Sequence, residues 1–264
     1  MPGRRVKVGS KHGYGRTDTS CELFVRCGIF EGNLERVAGH SKRVKKRWRQ
    51  RGVILLLSEK NDYSHVYWIG GSPCSGKSTI AEKFAKDYSC TYYQCDLFNE
   101  KHVTKCHPSE HPTMSRLKDM SWNALWSRPV EQQVEEELEF YREEFGMIMD
   151  DVSALPNTSP TIVEGAALLP EKVEHLVPSP HHAIWIVPVP AFQKEHYAKR
   201  EWIHEILESC DDPGAAFRNW MDRDIGFARY VAKDAMDRGF KVIFVDGSRS
   251  VQENYEEVRR HFML

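Results

Sequence analysis

The run Gly71-Ser72-Pro73-Cys74-Ser75-Gly76-Lys77-Ser78 fits the spacing G-x-x-x-x-G-K-[ST] at every constrained position. Each constrained residue type has a physical task. Glycines reach backbone angles that turn successive N–H groups inward, which makes a concave nest for an anion. The positive end of a helix opening at Lys77 adds to that nest. A lysine beside it reaches the outer phosphate oxygens, and the hydroxyl that follows can ligate Mg2+. Gly71, Ser72, Pro73, Cys74, Ser75, Gly76, Lys77, Ser78 and Thr79 are therefore the candidate nucleotide-binding residues, with Ser78 the candidate metal ligand.

Acids and cations elsewhere could complete such a site. Asp96 follows the apolar run Thr91–Cys95, at the strand end where open α/β sheets bind ligands. An acid there can hold or deprotonate an attacking hydroxyl. Glu164 ends Thr161-Ile162-Val163, which places a carboxylate beside Mg2+ or its waters. The two acids compete for the role of base. Between Phe192 and Tyr230 lie Lys194, Lys199, Arg200, Arg218, Arg223 and Arg229, a candidate lid. Arg200 and Arg223 are its first catalytic candidates and Arg218 the next, because phosphoryl transfer needs positive charge over the transferred group. Trp122, Trp126 and Arg128 form an aromatic and cationic cluster for the acceptor, with the two tryptophans on one helix face. Core packing is the alternative for that pair. Glu135, Glu136, Glu137, Glu139, Glu143 and Glu144 read as a solvated acidic face. Cys90, Cys95, His102, Cys106, His107 and His111 lack the paired spacing of a zinc site. His107-Pro108 and His111-Pro112 read as a loop over the acceptor.

These residues need a scaffold, and the hydrophobic pattern supplies one. Strands are expected at 65–69, 91–95, 161–163, 183–187 and 241–245, each short and apolar. Helices are expected at 77–88, through 130–148, at 192–208, near 218–238 and at 250–262, the last opened by a Ser250/Glu253 capping box. Residues 99–112 read as a polar connection rich in His and Pro. Strands alternating with helices imply an α/β fold with a mostly parallel sheet covered on both faces.

With the octapeptide between a strand and a helix, Asp96 after strand two and an arginine-bearing segment late in the chain, residues 63–264 resemble the P-loop small-molecule kinases. That group includes shikimate, gluconate, adenylate and uridine kinases, chloramphenicol phosphotransferase and the zeta-toxin-like enzymes. The resemblance implies a three-layer P-loop fold with strand order 2-3-1-4-5, a helical substrate insert and a mobile lid. It also implies a kinase that uses ATP and Mg2+ to phosphorylate a hydroxyl of a small molecule. Asp246-Gly247-Ser248-Arg249-Ser250 resembles the adenine-side loop of adenylate-kinase-type enzymes, making Gly247, Ser248 and Arg249 candidate adenine contacts. The Ile162-Val163-Glu164-Gly165 run resembles the equivalent strand of uridine-kinase-like enzymes. A nucleoside or nucleotide kinase is the alternative if the tryptophans stack a base, and a regulatory NTPase switch is another. The acceptor is not identified by the residues.

Composition bounds the rest. The 264 residues carry a net charge of −1, but residues 1–52 hold 14 Lys+Arg against 4 Asp+Glu, a net of +10, and the remainder carries −11. Nucleic acid is thus a poor partner for the main body. Residues 1–62 read as a basic extension: an anion-binding tail, a disordered arm, or sequence upstream of a true start near Val53. The seven scattered cysteines, with no apolar run long enough for a signal or a span, read as reduced thiols of a cytoplasmic protein without a membrane partner.

Overall fold

Short apolar strands at the centre of a sheet are what two covered faces require. The computed structural model describes residues 62–264, so all but the last residue of the expected basic extension lies outside the described residues. Strands β1 (Val66–Gly71), β2 (Thr91–Gln94), β3 (Thr161–Glu164), β4 (Ala183–Pro188) and β5 (Lys241–Val245) form one sheet in the order β2-β3-β1-β4-β5. Every pairing is parallel. All four residues of β3 and all six of β4 are buried.

Alternation along the strands builds two cores. Val66, Trp68, Val163, Ala183 and Trp185 face one side, where they pack with α5 (Val130–Ser153) and α9 (Pro213–Asp237). Ile69, Ile162, Ile184 and Ile186 face the other, against α1 (Lys77–Tyr88) and α10 (Val251–His261). The expected capping box at Ser250 and Glu253 is present in both directions.

A third apolar cluster lies among the helices rather than on the sheet. It joins α2 (Cys95–Lys105), α3 (Pro112–Leu117), α4 (Trp122–Trp126), α7 (Pro190–Ala198) and α8 (Glu201–Leu207) to α5 and α9. A four-residue helix, α6 (Pro170–Val173), and a 3-10 turn at Pro180–His182 complete the chain.

Three sequence expectations change. The polar connection at 99–112 is helical up to Lys105, because α2 buries Asn99 and His102 beside Cys95 and Val103. Those two polar residues carry the inward stripe, and each bonds Glu144 at 2.9 Å, so hydropathy conceals the helix. The single helix expected at 192–208 is two, broken at Lys199 and Arg200. The stretch 192–230, expected to be a lid, includes the first half of α9. That helix starts at the Asp212 cap, buries Trp220, Met221 and Phe227, and packs on α5 and β4 as part of the body.

Candidate functional site

The loop 71–76 leaves β1 and delivers Lys77 and Ser78 to the start of α1. Gly71 has φ +134°, and a Cβ there would lie 1.9 Å from the Ile186 carbonyl oxygen, so only glycine lets β1 pass β4 at this point. Gly76 has φ +78° with open space around its Cβ position; here the left-handed backbone, not crowding, favours glycine. Cys74 also takes a positive φ of 62°. Inside the loop the Ser72 and Ser75 hydroxyls are buried without a hydrogen-bond partner. Buried polar atoms seldom stay unpaired, and these two lie within six residues of each other in one loop.

Glu164 sits at the carboxyl end of β3, level with Ile69 of β1 and Gln94 of β2. It is wholly buried and held from three directions. Lys77 Nζ lies 3.4 Å from Oε1, the Ser78 hydroxyl donates to Oε1 at 3.2 Å, and the Tyr92 hydroxyl donates to Oε2 at 3.2 Å. Burial pushes the Glu164 carboxyl above its ordinary range, with Lys77 opposing that shift. Burial pulls Lys77 down, but the charges of Glu164 and Asp96 outweigh it and hold the ammonium above its ordinary value. Asp96, in the first turn of α2, is likewise raised by burial and opposed by Lys77. Lys77, Glu164 and Asp96 therefore form one electrostatic unit. Asp96 is not the last residue of a strand, as expected, but the second residue of the helix that follows.

Arg200 occupies the α7–α8 break, stacked over Tyr197 at 4.9 Å and Trp202 at 5.8 Å. From there its charge bears on Cys74 and Lys77, so its field reaches the glycine-rich loop. Burial still pushes the Cys74 thiol up to about 11. Arg223 lies in α9 with its Nε donating to Asp224 Oδ1 at 2.7 Å and 3.3 Å from Glu137 Oε2, its guanidinium 4.9 Å above Trp126. Arg218 and Arg229 are exposed.

Trp126 is 2% exposed and stacks on Trp220 at 4.3 Å, inside the helical core cluster, while Trp122 packs at its edge. Arg128 is bound by Glu136 and by the Leu125 carbonyl. Gly247, Ser248 and Arg249 are exposed after β5. Asp246 accepts from Ser248, Arg249 pairs with Glu257, and the Phe192 ring packs beside Gly247.

The sequence reading passed over Tyr92 and Gln133 and gave Glu137 and Glu144 to solvent, whereas Asp224, one of the acids flanking Arg223 in the sequence, does hold it. The acidic face expected on α5 is partly inward: Glu137 is 3% exposed and Glu144 1%. A signal existed, since Gln133, Glu137, Phe140 and Glu144 recur at helical spacing beside the apolar stripe. Glu144 accepts from Asn99 and pairs with His102, whose other ring nitrogen lies 3.2 Å from Asp151, so this network ties the Asp96 helix to α5. Among the described residues no helix is long and apolar enough to cross a membrane.

No protein family and no curated protein matches the chain. Solved structures do align with it, two of them at 14% identity. An uncharacterised protein from Eubacterium ventriosum is 14% identical, with a TM-score of 0.36 over 75% of this chain and 97% of that one. A protein from Chloroflexus aurantiacus, described there as a candidate kinase, is 14% identical, with a TM-score of 0.37 over 76% of this chain and 99% of that one.

Proposed function

We propose that this protein is a P-loop kinase that transfers the γ-phosphate of ATP to a hydroxyl of a small molecule. One observation carries the reading: a G-x-x-x-x-G-K-S loop joins a central parallel strand to a helix and sets Lys77 and Ser78 against Glu164. The open Ser72 and Ser75 hydroxyls, the inward backbone of the loop and the start of α1 suit a phosphate chain. Ser78 and Glu164 suit Mg2+, a hard cation that takes hydroxyl, carboxylate and water oxygens. When bound, the cation supplies charge neutralisation at the phosphates.

The chain's own groups divide the remaining work. Lys77 exchanges its contact with Glu164 for phosphate oxygens, which frees the carboxylate to serve the metal shell. Asp96, held above the ordinary carboxylate range, would orient the acceptor hydroxyl and take its proton at Oδ. That oxygen bonds the γ-phosphorus as the bond to the β–γ bridging oxygen breaks, with ADP as the leaving group. Arg200 supplies charge over the transferred group from the α7–α8 junction, where a short hinge between helices permits closure. Arg223 acts through Asp224 and Glu137 to hold the acceptor side in place. Phe192, beside Gly247, offers a ring for the adenine.

The test is ADP release from Mg-ATP by the full chain, with and without a pooled library of alcohols, sugars, nucleosides and antibiotics. Acceptor-dependent turnover that disappears in Lys77→Ala is the expected result. Tight binding of Mg-ATP without turnover on any acceptor would instead favour a nucleotide-dependent switch, and no binding at all would end the reading.

A further inference from the structure

A small cavity of about 10 Å3 lies between α4, α5 and α9, lined by Trp126, Arg128, Gln133, Glu136, Glu137 and Arg223. It lies within the helical cluster on which Cys74 of the glycine-rich loop packs, and Asp224, the partner of its Arg223, bears on Cys74 by charge. Its volume admits one small polar group and no ring.

The cations of this cavity are already answered. Arg128 binds Glu136, which also holds Arg116 at 3.0 Å. Arg223 binds Asp224 and faces Glu137, with Trp126 beneath its plane. A carboxylate or phosphate entering here would have to displace a buried acid from its arginine, at the cost of leaving that acid unpaired. What is open is two neutral groups and Glu137 Oε2, which faces Arg223 but takes no hydrogen bond. Gln133 is 2% exposed; its Nε2 donates to the Arg128 carbonyl at 2.7 Å, which fixes the amide orientation and leaves Oε1 buried without a partner. The Trp126 indole N–H is also buried without a partner. One open donor beside the amide and carboxyl oxygens matches a group that both donates and accepts, which is a hydroxyl.

Resting on the kinase reading, we propose that this cavity receives a hydroxyl arm of a neutral, polyhydroxylated acceptor, and that it rejects acceptors carrying a carboxylate or phosphate at that arm. The acceptor spans from the cavity to the Asp96 edge, donating to Gln133 Oε1 at one end and presenting the reacting hydroxyl at the other. The arginines that a sequence reading would assign to an acidic substrate instead keep the pocket electrically closed.

The experiment is calorimetric titration of the full chain with matched pairs: neutral polyols, sugars and nucleosides, each beside its phosphorylated or oxidised acidic counterpart. A neutral member is expected to bind at least about tenfold more tightly than its acidic counterpart. Gln133→Leu is expected to weaken the neutral ligand by about tenfold or more, since it removes the only open acceptor on that amide. Trp126→Phe, which deletes the indole N–H and keeps an aromatic ring, tests the same pocket if Gln133→Leu fails to fold. Acidic members binding as well as neutral ones, or unchanged affinity in a folded variant, would overturn the proposal. So would an absence of binding by every pair, which would leave the cavity to a water molecule. Mg-ATP titrated into the same samples reports on the kinase reading by itself, so the two failures are separable.

Discussion

Lys77 is fully enclosed, yet its ammonium is held charged by Glu164 and Asp96. Two acids around one lysine leave the site short of positive charge only until a metal or a second cation arrives, and Arg200 is the cation whose field reaches the loop. Removing the lysine should therefore lose both anchorage and charge balance. Lys77→Ala is expected to reduce turnover by about 10²–10³-fold, the scale for deleting a charge-stabilising donor; a steady-state ADP assay measures it. Glu137 allows a separate test in stability. Burial pushes its carboxyl up to about 8, with Arg223 opposing and Asp224 adding to the shift. Between the ordinary carboxylate value and about 8, the native protein keeps a proton that the unfolded chain has lost. The stabilisation is complete at low pH and disappears as pH rises toward 8, with a slope of up to about 1.4 kcal/mol per pH unit. Glu137→Gln should flatten the fall in urea midpoint between pH 5 and 8; an unchanged slope would contradict a buried, proton-holding Glu137.

Helices α5 and α9 pack on one another over one face of the sheet. Trp220 on α9 is 0% exposed and stacks on Trp126, with Tyr197 and Trp202 at its edges. Trp220→Ala is expected to cost about 3–5 kcal/mol in denaturant unfolding, since the surrounding helices cannot close around so large a cavity. At the far end, Ser250 caps α10 with its hydroxyl on the Glu253 amide. Ser250→Ala should cost about 1 kcal/mol in denaturant unfolding. The capping box was legible because its signal is local, a hydroxyl and an acid three residues apart. Helix α2 was not, because its inward stripe is made of Asn99 and His102, whose burial depends on Glu144 more than 40 residues away. The break at Arg200 was hidden for a similar reason: the residues on both sides favour helix, and only their packing on α9 sets the turn.

At the scale of the whole molecule, the sheet order decides where chemistry can occur. With β1 central and β3 beside it, the loop after β1 and the acid ending β3 meet at one carboxyl edge, as open parallel sheets arrange their ligand sites. A ligand that bridges this edge binds only the folded chain. Mg-ATP at 100 times its dissociation constant should therefore stabilise the protein by about 2.7 kcal/mol, raising its thermal midpoint in wild type and not in Lys77→Ala. The body without residues 1–52 carries a net charge of −11, which makes anionic polymers poor competitors for that edge.

Strand positions, the alternation that makes a two-faced parallel sheet, and the glycine-lysine loop were determined by the sequence alone, because periodicity and turn chemistry are local properties of a few neighbouring residues. The strand order came from resemblance, and the pairings agree with it. Only the tertiary structure decided the rest. Glu137 and Glu144 turned inward, Arg128 and Arg223 found acids, Tyr92 met Glu164, and Trp126 became a core residue lining a cavity. Whether a charge on a helix faces water or a partner depends on which other helix lies across from it, and no spacing within one segment carries that information.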